Sequence, residues 1–359
     1  MTPPIVHVAS GREWRGGQRQ VWLLARALGR MGVDQVVVTG AGTELARRLR
    51  AAGVPIRPAV WHAGLDPRVL WTVLRELRGR PAVLHAHDAH AVTLAGVAAR
   101  LARTPLVVTR RVDFPLRRRG YWGRADCVIA ISNAVAQVLE RDGIARERIT
   151  VVHSGISLDS TRTVTRLGIR GQLGLPPTAP VAVNVAALVP HKDHATLLAA
   201  AKQLEHRIPE LHWVVAGEGE LRPQLERKLA ESGLRNRVHL VGHIDDPTRL
   251  IADADLFVMS SRHEGLGTSV LDALALGIPV ASTGAGGLPE MLRNGAGLVV
   301  APGDPVALAD SVVRILEDPE LRTGLVERAK VEVLRFTDRR MAEEVGSVYR
   351  SCAHSLEGS

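Results

Sequence analysis

Short apolar runs rich in valine, isoleucine and alanine recur along nearly the whole chain and alternate with longer amphipathic stretches. Continuous apolar runs are typical of parallel strands that are covered on both faces. Strands alternating with helices predict an α/β fold with doubly wound, Rossmann-like sheets. The candidate strands are Ile5–Ala9, Gln35–Thr39, Ala82–Ala86, Leu106–Thr109, Cys127–Ile131 and Thr150–His153, followed by Val181–Ala186, Leu211–Ala216, Val238–Val241, Asp255–Met259 and Pro279–Ser282.

The length of the chain predicts two such domains, because 359 residues are more than one hydrophobic core usually supports. Ser, Thr, Gly and Pro accumulate between residues 155 and 180, where helical periodicity fades. We therefore expect one domain over residues 1–165 and a second over residues 166–337, facing each other across a central cleft. Apolar residues at helical spacing predict a further helix over residues 338–354.

Composition indicates a globular protein without a membrane span, since 46% of residues are hydrophobic, 23% are charged and no run of 18 apolar residues occurs. The N-terminal residues lack the cationic and apolar regions of an export signal. The two cysteines, Cys127 and Cys352, lie far apart in the sequence and on different elements, which favours reduced thiols. We expect a cytoplasmic protein.

Positive charge is concentrated in the first half of the chain. Residues 1–175 contain 27 arginines, no lysine and 12 acidic residues, giving +15, whereas the remainder carries −6. The densest part, residues 103–124, combines seven arginines with Phe114, Tyr121 and Trp122. This mixture favours an anionic membrane surface as partner, although a solvated basic face is the simpler alternative. Nucleic acid is disfavoured because no zinc-finger, RNP or basic-zipper pattern accompanies the cluster.

The most informative local motif covers residues 262–280 and reads Arg-His-Glu-Gly-Leu-Gly-Thr-Ser-Val-Leu-Asp-Ala-Leu-Ala-Leu-Gly-Ile-Pro-Val. It places Glu264 before, and Asp272 within, a helix that starts in a glycine-rich segment. Glycines allow close backbone approach and helix N-termini favour anions, so the motif predicts a site for an anion that carries hydroxyl groups. Thr268 or Ser269 is the expected helix cap. Alternatively, Ser269 and Asp272 form a capping box without any ligand.

This motif resembles the signature of the family 4 retaining glycosyltransferases, whose fold, called GT-B, has two Rossmann-like domains. The resemblance implies that Glu264 faces the hydroxyls of a donor sugar and that Asp272, an aspartate where the family has glutamate, binds the ribose. It also implies that the helix over residues 338–354 crosses back onto the first domain. The implied donor-binding residues of the motif are Gly265, Leu266, Gly267 and Thr268, together with Asp272.

Further residues match the family pattern outside the motif. Gly16 and Gly17 follow the first strand, where the family's double glycine closes over the donor. His87 matches a histidine that approaches the donor sugar, and Lys192 matches the lysine that binds the diphosphate. The family commonly has an arginine where Ala187 stands, and His191, Arg15 and Arg262 are the candidate substitutes. The resemblance implies that the loops at Gly217, Gly242 and His243 lie near the base, and ordinary strand-to-helix turns explain these residues equally well.

The resemblance implies a metal-independent enzyme with a nucleotide-sugar as substrate and no cofactor. His85, His87, His90 and Asp88 could instead bind zinc, but their spacing fits no common ligand pattern. Arg110 and Arg111 lie where they could bind an anionic acceptor, and Arg117, Arg118 and Arg119 are the expected membrane contacts.

We therefore expect a retaining glycosyltransferase that moves a sugar to a glycan or lipid-linked acceptor in cell-surface polysaccharide or lipopolysaccharide synthesis, at the inner face of the cytoplasmic membrane. Two alternatives remain open: a nucleotide-sugar 2-epimerase-like isomerase, and a non-catalytic protein that binds nucleotides or carbohydrates.

Overall fold

The computed structural model describes residues 2–61, 65–116 and 120–357, with side chains as far as Ala353. The described chain forms two compact units. The first contains the residues up to Ile156 together with those from Phe336 onward, and the second contains Ser157–Arg335. The division after Ile156 lies within the segment 155–180, and the domain boundary predicted between residues 165 and 166 lies further along that segment.

The first unit is built on a seven-stranded parallel sheet with the strand order β3-β2-β1-β4-β5-β6-β7. The order reverses between β1 and β4, which creates a topological switch point at the carboxyl ends of these two strands. The strands are β1 (Ile5–Ala9), β2 (Gln35–Gly40), β3 (Ile56–Ala59), β4 (Val83–Ala86), β5 (Leu106–Arg110), β6 (Cys127–Ala130) and β7 (Ile149–Val151).

Five helices of the first unit follow its strands. Four begin at side-chain caps of the expected kind, because the side chains of Thr43, Asp66, Asp88 and Ser132 each accept a hydrogen bond from the first helical turn. The helices are α1 (Gly16–Arg30), α2 (Glu44–Ala51), α3 (Pro67–Leu77), α4 (Ala89–Ala102) and α5 (Asn133–Arg141), with 3₁₀ turns at Trp122–Arg124 and Arg146–Arg148.

The second unit has a six-stranded parallel sheet of order β10-β9-β8-β11-β12-β13, which reverses between β8 and β11. Its strands are β8 (Val181–Val185), β9 (His212–Ala216), β10 (Val238–Gly242), β11 (Leu256–Met259), β12 (Val280–Thr283) and β13 (Leu298–Val300). Its helices are α6 (Leu158–Arg162), α7 (Ile169–Gln172), α8 (His194–Leu204), α9 (Arg222–Ser232), α10 (Pro247–Ile251), α11 (Thr268–Ala275), α12 (Leu288–Met291), α13 (Pro305–Glu317) and α14 (Pro319–Glu332). 3₁₀ turns lie at Pro190–Lys192, Leu234–Asn236, Arg293–Gly295 and Val333–Phe336. Two Rossmann-like parallel sheets confirm the predicted α/β fold class.

The last helix, α15 (Asp338–Glu357), belongs to the first unit. Its apolar face is buried in one core with residues from α1, β4 and β5, and the chain reaches it through a parallel bridge between Ile156 and Thr337. Burial of this face removes apolar area from water and holds α15 against the sheet. The buried residues of α15 are Met341, Ala342, Val345, Val348, Tyr349 and Cys352.

The expectation of two separate, reduced thiols is wrong for this structure. Cys127, at the start of β6, and Cys352, in α15, form a disulfide with a Cα–Cα distance of 6.4 Å. The residues are 225 positions apart in sequence, but α15 covers the face of the sheet on which Cys127 lies. Distance along the chain therefore said nothing about their distance in space.

Two edge strands were not predicted. Strand β3 contains Pro58 and an exposed Arg57, and β13 is three residues long with the side chain of Val299 exposed. Edge strands are buried on fewer sides than central strands, so the continuous apolar pattern that identifies parallel strands is weak there. Among the described helices, none combines the length and the apolar character needed to cross a bilayer.

Candidate functional site

The switch point of the second sheet brings two predicted residues together. Lys192 lies in the 3₁₀ turn that follows β8, and Glu264 lies in the loop that follows β11. Because β8 and β11 are neighbours, both loops leave the same edge of the sheet at its centre. Ligands of open α/β sheets bind at this position.

Lys192 and Glu264 form an ion pair in which the ammonium Nζ donates to the carboxylate Oε2. Their side chains are only 16% and 12% exposed, so the pair is better shielded from solvent than an ordinary surface ion pair. The hydroxyl of Ser261 donates to the same oxygen at 3.4 Å, and the backbone N–H of Arg262 donates to the carbonyl of His191 at 2.9 Å. These links fix the two loops to each other.

Helix α11 begins directly after this pair. Its N-cap is Gly267, so the prediction that Thr268 or Ser269 caps the helix is wrong. Gly267 has φ +90°, and a Cβ added there would lie 2.6 Å from Cδ2 of Leu288. A larger residue would therefore suffer both backbone strain and a clash. Since glycine has no side chain to cap the helix, the first-turn N–H groups keep their capacity to bind an anion.

Asp272 lies inside α11 and is 1% exposed. The alternative capping box would need the helix to start at Ser269, whereas the helix starts one residue after Gly267. That alternative is therefore excluded. Gly265 and Leu266 are buried in the same loop, beside the ion pair.

Two neighbouring loops extend the edge of the second sheet. Gly217, after β9, has φ +145°, and a Cβ there would lie 2.0 Å from the carbonyl oxygen of Ala186. Its N–H donates to the carbonyl of Gly242 at the end of β10, at 2.8 Å. His243 follows and pairs with Asp245 at 3.4 Å. The structure thus brings the loops after β8, β9 and β10 into contact.

Two of the three candidate substitutes for the arginine absent at Ala187, His191 and Arg262, lie beside Lys192. Nε of Arg262 donates to Oδ2 of Asp193, the residue after Lys192, at 2.7 Å. Arg15, in the first unit, pairs with Glu13. His191 lies in the same 3₁₀ turn as Lys192, and the side chain of Arg262 is joined to Asp193 at the end of that turn.

In the first unit, the predicted residues lie at the carboxyl ends of β1, β4 and β5. Gly16 and Gly17 begin α1, and a Cβ added at Gly17 would lie 3.7 Å from the side chain of Arg111. His87 directly follows β4. Asp88 caps α4 and accepts a hydrogen bond from the N–H of Ser10 at 2.7 Å, so its carboxylate has a structural role.

His87 belongs to a buried group of three histidines with His7 and His85, whose ring nitrogens lie within 4.8 Å of one another. Burial lowers the pKa of His7 to about 4 and holds the pKa values of His85 and His87 well below 6.5, so the rings are neutral at physiological pH.

A metal fits this group poorly, because each ring nitrogen already has a hydrogen-bond partner and the guanidinium of Arg111 lies 3.5 Å from Nδ1 of His87. The proposed zinc set of His85, His87, His90 and Asp88 also fails, since Asp88 is engaged as a helix cap. His7 was not predicted from the sequence. The sequence signal that could have identified His7 is its position as a polar residue inside an apolar strand. In the structure, it is paired in register with His85.

Arg110 is the last residue of β5, and Arg111 directly follows the strand. Nη2 of Arg110 donates to the carbonyl of Phe114 at 2.6 Å, and its guanidinium lies 5.4 Å from the ring centroid of Trp122. Desolvation lowers the pKa of Arg111 to about 10, which still leaves it charged at neutral pH. The predicted membrane contacts Arg117, Arg118 and Arg119 lie outside the described residues.

Comparisons with known proteins agree with this architecture. A family model described as glycosyl transferases group 1 matches residues 166–332, and a model described as glycosyltransferase family 4 matches residues 14–160. A 2-deoxystreptamine glucosyltransferase of Streptomyces kanamyceticus is 31% identical over 359 residues, covering 86% of this chain and 92% of that protein.

The lipopolysaccharide core biosynthesis glycosyltransferase LpsE of Rhizobium meliloti is 29% identical over 327 residues, covering 90% of this chain and 92% of that protein. The crystal structure of Anabaena HepE in complex with UDP-glucose has the same fold, with a TM-score of 0.83 and 20% identity over 97% of this chain and all of that one. Fold and relatives together define a glycosyltransferase with two Rossmann-like units. The chain belongs to glycosyltransferase family 4.

Proposed function

We propose that this glycosyltransferase binds a nucleotide-sugar on its second unit and transfers the sugar, with retention of configuration, to a glycan or lipid-linked acceptor on its first unit. The observation that carries the proposal is the shielded pair of Lys192 and Glu264 beside the glycine-started helix α11, at the switch point of the second sheet. A cation, a carboxylate and a helix N-terminus provide groups for a diphosphate and for sugar hydroxyls in one place.

The diphosphate would compete with Glu264 for the ammonium of Lys192. A phosphate group carries more negative charge than one carboxylate, and the first-turn N–H groups of α11 add to its binding. We propose that donor binding opens the ion pair, so that Lys192 stabilises the leaving group and Glu264 becomes an acceptor for sugar hydroxyls. Asp272 would bind the ribose, and the loops of Gly217, Gly242 and His243 would lie near the base.

As bond cleavage proceeds, negative charge grows on the leaving diphosphate. Lys192 and the N-terminus of α11 would supply the positive potential that a metal ion provides in other transferases, so no cofactor is required. Arg262 is the substitute we propose for the cation absent at Ala187, because Asp193 holds it beside Lys192. His87 would contact the sugar, and Gly16 and Gly17 would allow close approach of the first unit to the donor.

The acceptor would be anionic or carried by an anionic lipid. Arg110 and Arg111 lie near the carboxyl edge of the first sheet, and the segment containing Arg117, Arg118 and Arg119 provides further positive charge. Two relatives with similar sequences are named as lipopolysaccharide core biosynthesis glycosyltransferases. Their names support a role for this protein in cell-surface polysaccharide or lipopolysaccharide synthesis. We propose that the protein works in the cytoplasm, at the inner face of the cytoplasmic membrane.

The variant Glu264→Gln tests the assignment of the donor. We expect it to slow release of nucleoside diphosphate from a nucleotide-sugar panel, while the affinity for the free nucleoside diphosphate stays within about threefold. A hydrogen bond to a charged group contributes about 1.5–3 kcal/mol, so the sugar-dependent step should slow by roughly tenfold or more.

Glu226→Gln is the matched control, because Glu226 is an exposed carboxylate on α9 that pairs with Arg222 of the same helix. Equal loss of nucleotide affinity in Glu264→Gln would contradict the assignment of this acid to the sugar. A product with altered sugar configuration, formed without any acceptor, would instead support the isomerase.

A further inference from the structure

Four hydrogen bonds in the first unit form a continuous chain that links Ala25, Gln35, His7, His87 and Arg111. Nε2 of Gln35 donates to the carbonyl of Ala25 at 2.6 Å, and Oε1 of Gln35 lies 3.2 Å from Nε2 of His7. Nδ1 of His7 lies 2.9 Å from Nε2 of His87, whose Nδ1 lies 3.5 Å from Nη2 of Arg111. The chain runs from the start of β2 to the carboxyl end of β4.

The direction of every hydrogen bond in this chain is determined by its two ends. The carbonyl of Ala25 can only accept, so the amide of Gln35 must direct its NH₂ toward Ala25 and its oxygen toward His7. Nε2 of His7 therefore carries the proton. In a neutral ring, Nδ1 is then an acceptor, and it receives the proton of Nε2 of His87. Nδ1 of His87 therefore carries no proton, and its lone pair can accept a hydrogen bond.

The other end of the chain is compatible with this result, through a longer contact of 3.5 Å. A guanidinium has only donors, so Arg111 can approach Nδ1 of His87 only when that nitrogen is unprotonated. Protonating either ring would place a second positive charge beside Arg111 inside a buried cluster. Burial, followed by the nearby charges, holds the pKa of His87 well below 6.5. The charged group facing it from β5 is Arg111, and Asp88 and Tyr349 lie beside that arginine.

His85 provides the contrast. Its Nδ1 lies 2.7 Å from the hydroxyl of Tyr349 and its Nε2 lies 2.7 Å from the hydroxyl of Thr109. A hydroxyl can donate or accept, so either tautomer of His85 satisfies both partners. Only the chain through Gln35 and His7 fixes which nitrogen is protonated.

We propose that Gln35 and His7 are positioning residues that hold His87 as the Nε2–H tautomer, so that its Nδ1 accepts a hydrogen bond from a hydroxyl of the sugar substrate, which would replace the 3.5 Å contact with Arg111. This inference rests on the proposed function, which places His87 beside the sugar. Neither Gln35 nor His7 touches the substrate. Their effect reaches the reaction only through the proton position on His87.

The first test needs no variant. Two-bond ¹H–¹⁵N correlation spectra of the histidine rings in the intact protein should show His87 as a single Nε2–H tautomer at neutral pH, with His7 in the same form. A protonated Nδ1 on His87, or a mixture of tautomers, would overturn the inference even if the enzyme is active as proposed.

Variants then connect the tautomer to turnover. His7→Leu and Gln35→Met should each raise the fraction of His87 with Nδ1–H and reduce donor turnover by about threefold to tenfold, the equivalent of one neutral hydrogen bond. The affinity for free nucleoside diphosphate should not change. His7→Gln, whose amide can both accept from His87 and donate to Gln35, should restore most of the turnover.

Thr109→Val is the matched control, because it removes an equally buried hydrogen bond of the same cluster that lies outside the chain to His87. It should leave the tautomer of His87 unchanged. Equal effects of Thr109→Val and Gln35→Met would show that both act by general loss of packing and would overturn the inference. If the spectra show the expected tautomer but His87→Phe turns over donor normally, the contact between His87 and the sugar is wrong.

Discussion

At the scale of residues, the pairing of Lys192 with Glu264 is the feature that sequence did not predict. The two were assigned to different parts of a donor, one to the diphosphate and one to the sugar. The structure joins them because their loops leave adjacent strands, β8 and β11. A motif identifies which residues matter, but adjacency across a sheet depends on strand order. For the same reason, the link between His7 and His87 could not be read from the sequence.

Lys192→Ala should weaken the binding of nucleoside diphosphates by roughly tenfold or more, because one charge-assisted contact contributes about 1.5–3 kcal/mol. It should also slow donor cleavage, since the same cation stabilises the leaving group. Titration calorimetry and donor turnover measure the two effects. Lys228→Ala, which removes an exposed lysine of α9, is the control and should change neither. Unchanged turnover in Lys192→Ala would show that the leaving group binds elsewhere.

Ala187→Arg is the companion test of the missing cation. If Arg262 compensates for Ala187, Arg262→Ala should lower diphosphate affinity, and adding Ala187→Arg should recover it. A double-mutant cycle on nucleotide affinity measures this coupling. Additive effects of the two substitutions would contradict compensation by Arg262.

At the scale of elements, the central strands were predictable because burial on both faces leaves a continuous apolar pattern. The edge strands β3 and β13 were not, since exposure weakens the pattern. The start of α11 was misassigned to a side-chain cap, whereas Gly267 occupies the position. Such exceptions to local rules are expected where a helix end is kept for a ligand.

Gly267→Ala tests the start of α11. The positive φ costs an L-residue about 1–2 kcal/mol, and the added Cβ would also approach Leu288. Gly233→Ala is the matched control in the same unit, with φ +76° and open space around it. We expect both variants to lower the free energy of unfolding, measured by urea denaturation, and Gly267→Ala to lower it more. Only Gly267→Ala should weaken nucleoside diphosphate binding; equal behaviour of the two would contradict a ligand role for this turn.

At the scale of the whole molecule, the uneven charge predicts where the protein works. Replacing Arg117, Arg118 and Arg119 by serine should remove about 3 kcal/mol of attraction to an anionic bilayer at low salt, at about 1 kcal/mol for each arginine. Sedimentation with anionic and neutral vesicles measures the effect, which salt should screen. Serine at Arg207, Arg227 and Arg235, three exposed arginines of the second unit, gives the same change in net charge and should bind vesicles normally. If the parent protein does not bind anionic vesicles, a soluble acceptor is the better interpretation.

The reaction proposed for the protein is transfer of a sugar from a nucleotide-sugar with retention of configuration. The most direct measurement is ¹H NMR of the sugar that the intact protein releases from a panel of α-linked nucleotide-sugars, with water or a glycan as acceptor. We expect that one donor is consumed and that the α-anomer appears first, before mutarotation. First appearance of the β-anomer, or a panel in which no donor is consumed, would contradict it.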